Sequence, residues 1–503
     1  MTDERYILLC PLVMNVDRKI PRCMSTQHPD NVNPPFFAES PEMGGEDEIQ
    51  EAYYVFSHLD CEEQMWDFEG KEVDSYVIKK LLSKYEWYFR EKQIGKDVFL
   101  TLRVPNPTVE KDEAKILLET LESIPRSYDT AHLFYKNDIP PIFEVILPMT
   151  SSAKSLDRVY HYYKDFVVGK QHVPFREGDI TLAEWIGNFE PKEVNVIPLF
   201  EDLEHMLDAH NITREYLADK DVDYQRVFLA RSDPAMNYGQ VGAILMNKVA
   251  LFNLQDLEQE LGIPIYPIIG VGSAPFRGNL KPTNVESMME EYPSVQTFTT
   301  QSAFKYDYSH DNVRDGIRKL NEGVRGKVPP IDEERCREII RKCAASYKES
   351  LVKVAPLINE VSNFIPRRRK RKLHIGLFGY SRSLEGVKLP RAIGLCCSFY
   401  SIGIPPEILG LDALSEKDID YVREVSPHFD SNMRDALRFL NPDSLKMLPY
   451  KVKKAVDGLE LDYEVDESHR RTTEYILENV HNSTGKGLEE SILRAANARG
   501  FLG

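Results

Sequence analysis

The stretch Val194-Asn-Val-Ile-Pro-Leu-Phe-Glu-Asp202 is a short apolar run that ends on two carboxylates. Two similar runs follow it, Arg226–Ala230 and Ile265–Val271, and the segment Val241–Leu261 between them has apolar residues at helical spacing. Short apolar runs of this kind predict buried strands, and the longer segment predicts an amphipathic helix. Strands that alternate with helices predict a parallel sheet, because parallel neighbours need a crossover connection.

The same alternation extends along most of the chain. We predict eight strands, at Glu63–Phe68, Val98–Val104, Ile142–Pro148, Val194–Phe200, Arg226–Ala230, Ile265–Val271, Gln296–Thr300 and His374–Gly379. Because no glycine-rich dinucleotide fingerprint accompanies these strands, the pattern favours a closed barrel over a doubly wound sheet. The predicted fold class is therefore α/β, a (β/α)8 TIM-like barrel with additional α-helices.

The segments outside the barrel pattern have helical spacing. They are Asp332–Pro356, Leu409–Val452 and Glu489–Ala498, the last of which ends before Gly500. We predict a division into an N-terminal extension, residues 1–20, and a single barrel catalytic domain, residues 21–503, with helical additions at about 305–365 and 405–503. These additions would pack around the barrel and form subunit contacts.

Composition limits the class of protein. The 503 residues carry a net charge of −17, which disfavours a general nucleic-acid-binding protein, and no apolar run is long enough to span a bilayer. The apolar segment Ile7–Met14 lacks a small-residue cleavage site, so we predict no signal peptide, and Met14 is an alternative start. Seven cysteines without a Cys-x-x-Cys pair indicate the reduced thiols of a cytoplasmic protein.

Polar residues lie at or just after the ends of most of the predicted strands. They are Arg103, Thr150 with Ser151, Glu201 with Asp202, Arg231 with Asp233, Ser273, Gln301, and Ser381 with Arg382. In a (β/α)8 barrel the carboxyl ends of the strands meet at one mouth, where the chemistry of this fold takes place. A polar residue after one strand is common in any protein and indicates little by itself. The repetition of polar residues at seven predicted strand ends is what predicts a functional site at the barrel mouth.

Two carboxylates in this set have the pattern of a metal site. Glu201 and Asp233 each follow a predicted strand, and two carboxylates from neighbouring strands can share one Mg²⁺ ion, with water and substrate oxygens as the other ligands. The alternative is that each carboxylate caps, or lies in the first turn of, the helix that follows its strand.

Four arginines form a second set: Arg103, Arg277, Arg382 and Arg391. Arg277 lies in the small-residue loop Gly272–Asn279, whose backbone can approach an anion closely. A guanidinium binds phosphate or carboxylate through two parallel hydrogen bonds. The set therefore indicates a small phosphorylated carboxylic acid as substrate, although any one of these arginines could instead be a surface or ion-pairing residue.

The run Arg367-Arg-Arg-Lys-Arg-Lys372 has the charge of a nucleic-acid-binding segment but no interleaved aromatic residues. We interpret it as a solvated loop or an inter-subunit patch. The alternative, in which the chain is a binding protein rather than an enzyme, would depend on these six residues.

The segment Cys23-Met-Ser-Thr-Gln-His-Pro-Asp-Asn31 places a histidine before a proline. The proline ring excludes helical geometry at His28, so this imidazole lies in an extended or turn segment among hydroxyl, amide and carboxylate groups that could fix its tautomer. Composition alone favours a surface turn, because Pro, Asp and Asn are all turn-forming residues. We expect the segment to cross the carboxyl-terminal face of the barrel ahead of the first strand.

Together these motifs resemble phosphoenolpyruvate carboxylase in its short archaeal-type form, from about residue 21 to the end of the sequence. The segment Ser25–Asp30 looks like the one that carries the catalytic histidine of that family. Other segments look like its two metal-binding motifs and its Leu-Arg-Ala-Ile-Pro-Trp segment with the ending that follows: Pro198–Glu201, Ser232-Asp233, and Leu389–Ile393 with Ile404–Gly410.

The resemblance implies roles for these residues. His28 would be the catalytic base, and Glu201 and Asp233 would hold Mg²⁺ or Mn²⁺. The remaining site residues would act on the substrate phosphate and carboxylate: Arg277 and Arg382 as catalytic arginines, and Arg103, Arg391, Arg231 and Gln301 in substrate binding. Met236 stands where the long enzymes carry a lysine, whose role could pass to Arg231.

The implied reaction is carboxylation of phosphoenolpyruvate by bicarbonate to oxaloacetate and phosphate, through carboxyphosphate and a metal-bound enolate. No biotin is expected, because the substrate phosphate activates bicarbonate and no Met-Lys motif is present. The resemblance also implies a cytoplasmic homotetramer that engages neither membrane nor nucleic acid. The alternative enzyme is another metal-dependent barrel, a mutase or lyase that acts on phosphoenolpyruvate or a 2-oxo acid.

Overall fold

The computed structural model describes residues 18–69, 73–111, 114–370, 382–384, 387–481 and 486–503. Its centre is a closed barrel of eight parallel strands in sequence order. The strands are β1 (Cys23–Ser25), β2 (Glu63–Asp67), β3 (Phe99–Arg103), β4 (Glu144–Leu147), β5 (Asn195–Phe200), β6 (Gln225–Ala230), β7 (Ile265–Gly270) and β8 (Thr297–Thr300). The barrel closes where β1 pairs with both β2 and β8, which confirms the predicted (β/α)8 TIM-like fold.

Seven of the predicted strands are present to within two residues at either end, but the first barrel strand is one that the sequence analysis missed. Cys23–Ser25 is the strand β1, so the expectation that this segment crosses the barrel face ahead of the first strand is wrong. A run of three residues is too short to predict a strand from its hydrophobic pattern. These residues form a strand because they pair in parallel with β2 on one side and with β8 on the other. The predicted strand His374–Gly379 lies outside the described residues.

The barrel interior is filled by apolar side chains from alternate strand positions: Met24, Met65, Ile146, Ile197, Leu199, Phe228, Ala230 and Ile268. At the amino ends of the strands the buried Arg226 pairs with Glu63 at 2.7 Å and with Glu144 at 3.0 Å. Both carboxylates begin their strands, so this ion triad closes the amino end of the barrel. The open end of the barrel is therefore the one at the carboxyl ends of the strands.

The helices surround the barrel and continue beyond it. They are α1 (Glu46–Ser57), α2 (Val77–Lys84), α3 (Glu86–Glu91), α4 (Ala114–Tyr135), α5 (Ala153–His161), α6 (Leu182–Ile186), α7 (Leu203–Leu207), α8 (Ala209–Leu217), α9 (Ser232–Leu261), α10 (Val285–Glu291), α11 (Ser302–Tyr306), α12 (His310–Glu322), α13 (Glu333–Ser362), α14 (Ala392–Ser401), α15 (Glu416–Val425), α16 (Phe429–Leu437), α17 (Tyr450–Gly458), α18 (Glu467–Asn479) and α19 (Lys486–Arg499). Two short strands, β9 (Arg382–Leu384) and β10 (Val387–Leu389), pair antiparallel.

The helix α9 bends sharply at Gly239, where φ is 80° and ψ is 170°. A Cβ atom at this glycine would lie 3.1 Å from the ring of Tyr347 in α13, so the bend allows α13 to pack closely on α9. The helix α13 corresponds to the predicted helix Asp332–Pro356 and ends six residues later than predicted, at Ser362. It joins the helical additions to the barrel.

By length and composition, no single helix among the described residues could cross a membrane. One bent pair, Ala392–Ser401 with Pro406–Ala413, passes that test when its two parts are taken together.

Candidate active site

A cavity of about 680 Å³ lies at the carboxyl ends of the barrel strands. The described residues that were expected to bind metal or substrate or to act in catalysis all line this cavity: His28, Arg103, Glu201, Arg231, Asp233, Arg277, Gln301 and Arg391. The other described strand-end residues, Thr150, Ser151, Asp202 and Ser273, do not line it. The side chain of the remaining predicted site residue, Arg382, lies outside the described part of the chain. A cavity of this size suits a small ligand.

His28 occupies the turn that follows β1. The turn begins where Thr26 N donates to Thr300 O at the end of β8, at 3.0 Å, and the carbonyl of His28 accepts from Ser302 N at 3.2 Å. The imidazole Nδ1 lies 2.9 Å from Thr26 Oγ1. His28 is partly exposed to the cavity while its neighbours in β1 are buried. It therefore stands at a strand end as the other site residues do, and not in a separate surface turn.

Arg277 is buried and uses its guanidinium to connect four parts of the chain. Its Nη1 lies 3.2 Å from Asp30 Oδ2 and 2.6 Å from Gly503 O, and its Nε lies 3.1 Å from Ser232 Oγ. Its Nη2 donates to Gln301 Oε1. Burial raises the pKa of Asp30, which the charge of Arg277 only partly offsets. In this arrangement Arg277 orders the cavity wall beside His28.

Arg103, at the end of β3, donates hydrogen bonds to both carboxylate oxygens of Asp67. Its Nε lies 2.8 Å from Oδ1 and its Nη2 lies 2.7 Å from Oδ2, and Glu69 is 3.1 Å from the same Nε. Burial alone would lower the pKa of Arg103, but these carboxylates outweigh it and the pKa is raised. The cation is thus fixed in position at the cavity and stays charged at every working pH.

Glu201 and Asp233 follow β5 and β6, which are neighbours in the barrel. The alternative capping role of Glu201 belongs to its neighbour, because Asp202 caps α7 through His205 N at 3.1 Å. Asp233 lies in the first turn of α9 and also faces the cavity. Glu201 Oε2 accepts from Met149 N at 2.8 Å, which orients that carboxylate.

Glu201 and Asp233 fit the way Mg²⁺ is usually held in proteins. Among the described residues no three His, Cys, Asp or Glu side chains form a cluster that could hold a metal ion. A pair of carboxylates beside a substrate cavity matches Mg²⁺ binding, because this ion keeps several waters and takes one or two protein carboxylates together with substrate oxygens.

Arg231 is buried in the wall of the cavity. Its Nη2 donates to Gln240 Oε1 at 2.8 Å, and its Nη1 lies 3.4 Å from Phe276 O. Met236, on the same helix as Gln240, also lines the cavity. The guanidinium of Arg231 is therefore held between α9 and the loop that carries Arg277.

The basic run at residues 367–372 is only partly solvated. Arg367 is exposed and lines the cavity, whereas Arg368 and Arg369 are buried, so the prediction of a solvated loop is wrong for these two. Arg368 donates to Asn31 O at 3.3 Å and to Val32 O at 2.6 Å. The two buried arginines of this run therefore contact other parts of the same chain and are not available to an external ligand. Residues 371 and 372 lie outside the described part of the chain.

Sequence reasoning missed several charged residues of the site. Asp67 is the last residue of β2 and Glu69 follows it closely, so the search for polar residues at strand ends would have found both. Glu51 and Lys305 do not line the cavity but pair behind it, and no local signal marks them because they meet across 254 residues of sequence. Such contacts follow only from the closed barrel.

The barrel and its strand-end cavity define the chain as a member of the (β/α)8-barrel enzymes. A family model described as phosphoenolpyruvate carboxylase matches residues 20–503. A phosphoenolpyruvate carboxylase of Methanothermobacter thermautotrophicus is 57% identical over 485 residues, which are 96% of this chain and 100% of that protein. Those of Methanospirillum hungatei and Pyrococcus furiosus are 55% and 49% identical, each over 96% of this chain and 100% of their own. The chain belongs to the phosphoenolpyruvate carboxylase family and is an enzyme.

Proposed function

We propose that the protein carboxylates phosphoenolpyruvate with bicarbonate to give oxaloacetate and phosphate. The observation that carries the proposal is the convergence of one histidine, two candidate metal carboxylates and several arginines on a single cavity at the strand ends. The family and the names of the relatives support the same substrate.

In the proposed reaction a bicarbonate oxygen attacks the phosphorus of phosphoenolpyruvate, and the bond from phosphorus to the enol oxygen breaks. The products of this step are carboxyphosphate and the enolate of pyruvate. Arg103, Arg391 and Arg382 hold the phosphate and carboxylate groups, while Arg277, Arg231 and Gln301 shape the wall beside them. Fixed cations are effective here because phosphoryl transfer is catalysed mainly by positioning and charge stabilisation.

His28 then accepts the carboxyphosphate proton, and carboxyphosphate separates into carbon dioxide and phosphate. The methylene carbon of the enolate attacks carbon dioxide and forms oxaloacetate. Glu201 and Asp233 would hold Mg²⁺ or Mn²⁺, which when bound offsets negative charge on the phosphate and enolate oxygens. Biotin has no part in this scheme, because the phosphate of the substrate activates bicarbonate.

We further propose that the enzyme is a cytoplasmic homotetramer that acts without nucleic acid or membrane. Its cysteine pattern and its charge support this assignment. A group of exposed apolar side chains on residues 162–187 supports self-association.

The proposed function is tested by measuring oxaloacetate formation and phosphate release with and without bicarbonate. Both should require bicarbonate and stop in EDTA, and a mutase or lyase would keep its activity without bicarbonate. His28→Asn should lower kcat by about 100-fold or more, the usual contribution of a general base. A near wild-type rate in His28→Asn would exclude the proposed base, and full activity in EDTA would exclude the metal role of Glu201 and Asp233.

A further inference from the structure

A buried ionic cluster lies behind the turn that carries His28. Arg369 from the basic run contacts Glu48 at 3.2 Å and Glu51 at 2.6 Å, and Lys305 in α11 contacts Glu51 at 2.9 Å. All four residues are at most 3% exposed. Two cations and two carboxylates balance in charge, as buried ions must.

Lys305 uses its ammonium group on three oxygens. Its Nζ lies 2.9 Å from Glu51 Oε1, from Ser25 Oγ and from the carbonyl oxygen of Thr26. An ammonium has three hydrogens to donate, and these acceptors match that number. Lys305 therefore holds the end of β1 and the first residue of the His28 turn.

Glu51 keeps this lysine in place. Burial would raise the pKa of Glu51, but Arg369 and Lys305 outweigh burial and the pKa is lowered. Burial lowers the pKa of Lys305, and the charge of Glu51 opposes this effect. Because Glu51 stays ionised, its charge favours the ammonium form of Lys305, which donates to Thr26.

The last contact in the chain joins this cluster to the imidazole. The hydroxyl of Thr26 lies 2.9 Å from His28 Nδ1. In the base form of His28 that the proposed function requires, Nδ1–H donates to Thr26 Oγ1 and Nε2 is the basic nitrogen. Because a threonine hydroxyl can donate as well as accept, the position of Thr26 sets the direction of the ring, and the role of His28 as base sets the tautomer.

We propose that Lys305 is a positioning residue for His28: its contact with the Thr26 carbonyl holds the hydroxyl that orients the catalytic imidazole. Arg369, from the basic run at residues 367–372, supports this contact because its positive charge offsets the carboxylates of Glu48 and Glu51 behind Lys305. The proposal rests on the role of His28 as base, and it adds a residue that touches neither the substrate nor the metal ligands.

Lys305→Met tests the proposal, with Tyr306→Phe as the matched control. Tyr306 Oη donates to the same Glu51 oxygen at 2.6 Å but makes no contact with Thr26. We expect Lys305→Met to lower kcat by about 10- to 100-fold, as misplacement of a catalytic group does, and to shift the acidic limb of the kcat–pH profile. The KM for phosphoenolpyruvate should change little, and Tyr306→Phe should keep the wild-type kcat and pH profile.

Thr26→Val is the second variant, because it removes the hydroxyl and leaves the ionic cluster intact if Lys305→Met does not fold. It should reproduce the loss of kcat and the altered pH profile, and neither substitution should lower the rate of His28→Asn further. If Thr26→Val keeps the wild-type profile, or if Lys305→Met and Tyr306→Phe lose stability and activity equally, Lys305 is only structural. A near wild-type rate in His28→Asn would instead refute the proposed base and not this contact.

Discussion

At the scale of the residue, Arg103 shows that the geometry of a charge matters as much as its presence. The guanidinium spans both oxygens of Asp67, at 2.8 and 2.7 Å, whereas a lysine would offer a single point charge. We expect Arg103→Lys to lower the free energy of unfolding by about 2–4 kcal/mol, because the buried Asp67 loses half of its pairing. The kcat/KM for phosphoenolpyruvate should fall by about tenfold or more. Urea unfolding and steady-state kinetics measure the two effects.

The control for this prediction is the same substitution at an exposed ion pair. Arg314 in α12 contacts Asp60 at 2.8 Å, and both side chains are more than half exposed. Arg314→Lys should change the free energy of unfolding by less than about 0.5 kcal/mol, as surface pairs do. Equal losses in the two variants would mean that the geometry at Asp67 contributes nothing specific.

At the scale of the element, β1 explains which parts of the fold and site could be predicted from the sequence. The strands β2 to β8 have four to six residues, and the polar residues at their ends were visible in the sequence. Cys23–Ser25 has three residues and becomes a strand only between β2 and β8, so its place in the barrel depends on closure. The motif around His28 was recognised, but its position at a strand end was not.

The 3-10 turn Pro406–Ile408, between α14 and α15, carries a buried carboxyl group that makes stability depend on pH. Glu407 Oε1 accepts a hydrogen bond from Tyr400 Oη at 2.6 Å, and both side chains are buried. Burial raises the pKa of Glu407 to about 7. The folded protein therefore holds a proton there that the unfolded chain releases near pH 4.3.

Because this folded-state pKa is raised, the stability from Glu407 is complete below about pH 4.3 and falls as the pH rises to 7. We expect Glu407→Gln, which mimics the neutral carboxyl, to be more stable than the wild type at pH 8 by on the order of 2–3 kcal/mol. The difference should shrink toward pH 5. Urea unfolding across this range measures it, with the exposed Glu424→Gln as control. A constant difference at all pH values would contradict the buried protonated form.

At the scale of the whole molecule, residues 162–187 form an arm with six large apolar side chains that the described part of the chain leaves exposed. Six large apolar residues of the arm are 46–67% exposed: Phe166, Val173, Phe175, Ile180, Trp185 and Ile186. The helix α6 within it has no buried residue. The base of the arm is fixed, because Tyr163 Oη donates to Pro191 O at 2.8 Å.

We propose a second copy of the chain as the partner of this arm. Six half-exposed side chains present roughly 600 Å² on each copy, since a large aromatic side chain buries 150–250 Å² in full. Two copies together would bury roughly 1,200 Å², the lower end for a specific interface. The arm carries three basic and four acidic side chains, so it is nearly neutral in a chain of net charge −17. Two copies can therefore approach here without the repulsion that the remaining surface produces.

The two exposed tryptophans offer a direct test of the arm. Trp185 in the arm is 65% exposed and Trp87 in α3 is 64% exposed, so Trp185→Glu and Trp87→Glu add the same charge at equally accessible sites. We expect light scattering to show a smaller assembly for Trp185→Glu and the wild-type mass for Trp87→Glu, because a buried unpaired carboxylate opposes association. Circular dichroism should show wild-type helix content in both variants, since neither side chain is packed in the core. An unchanged mass in Trp185→Glu, an equal loss in Trp87→Glu, or a monomeric wild type at micromolar concentration would exclude self-association through this arm.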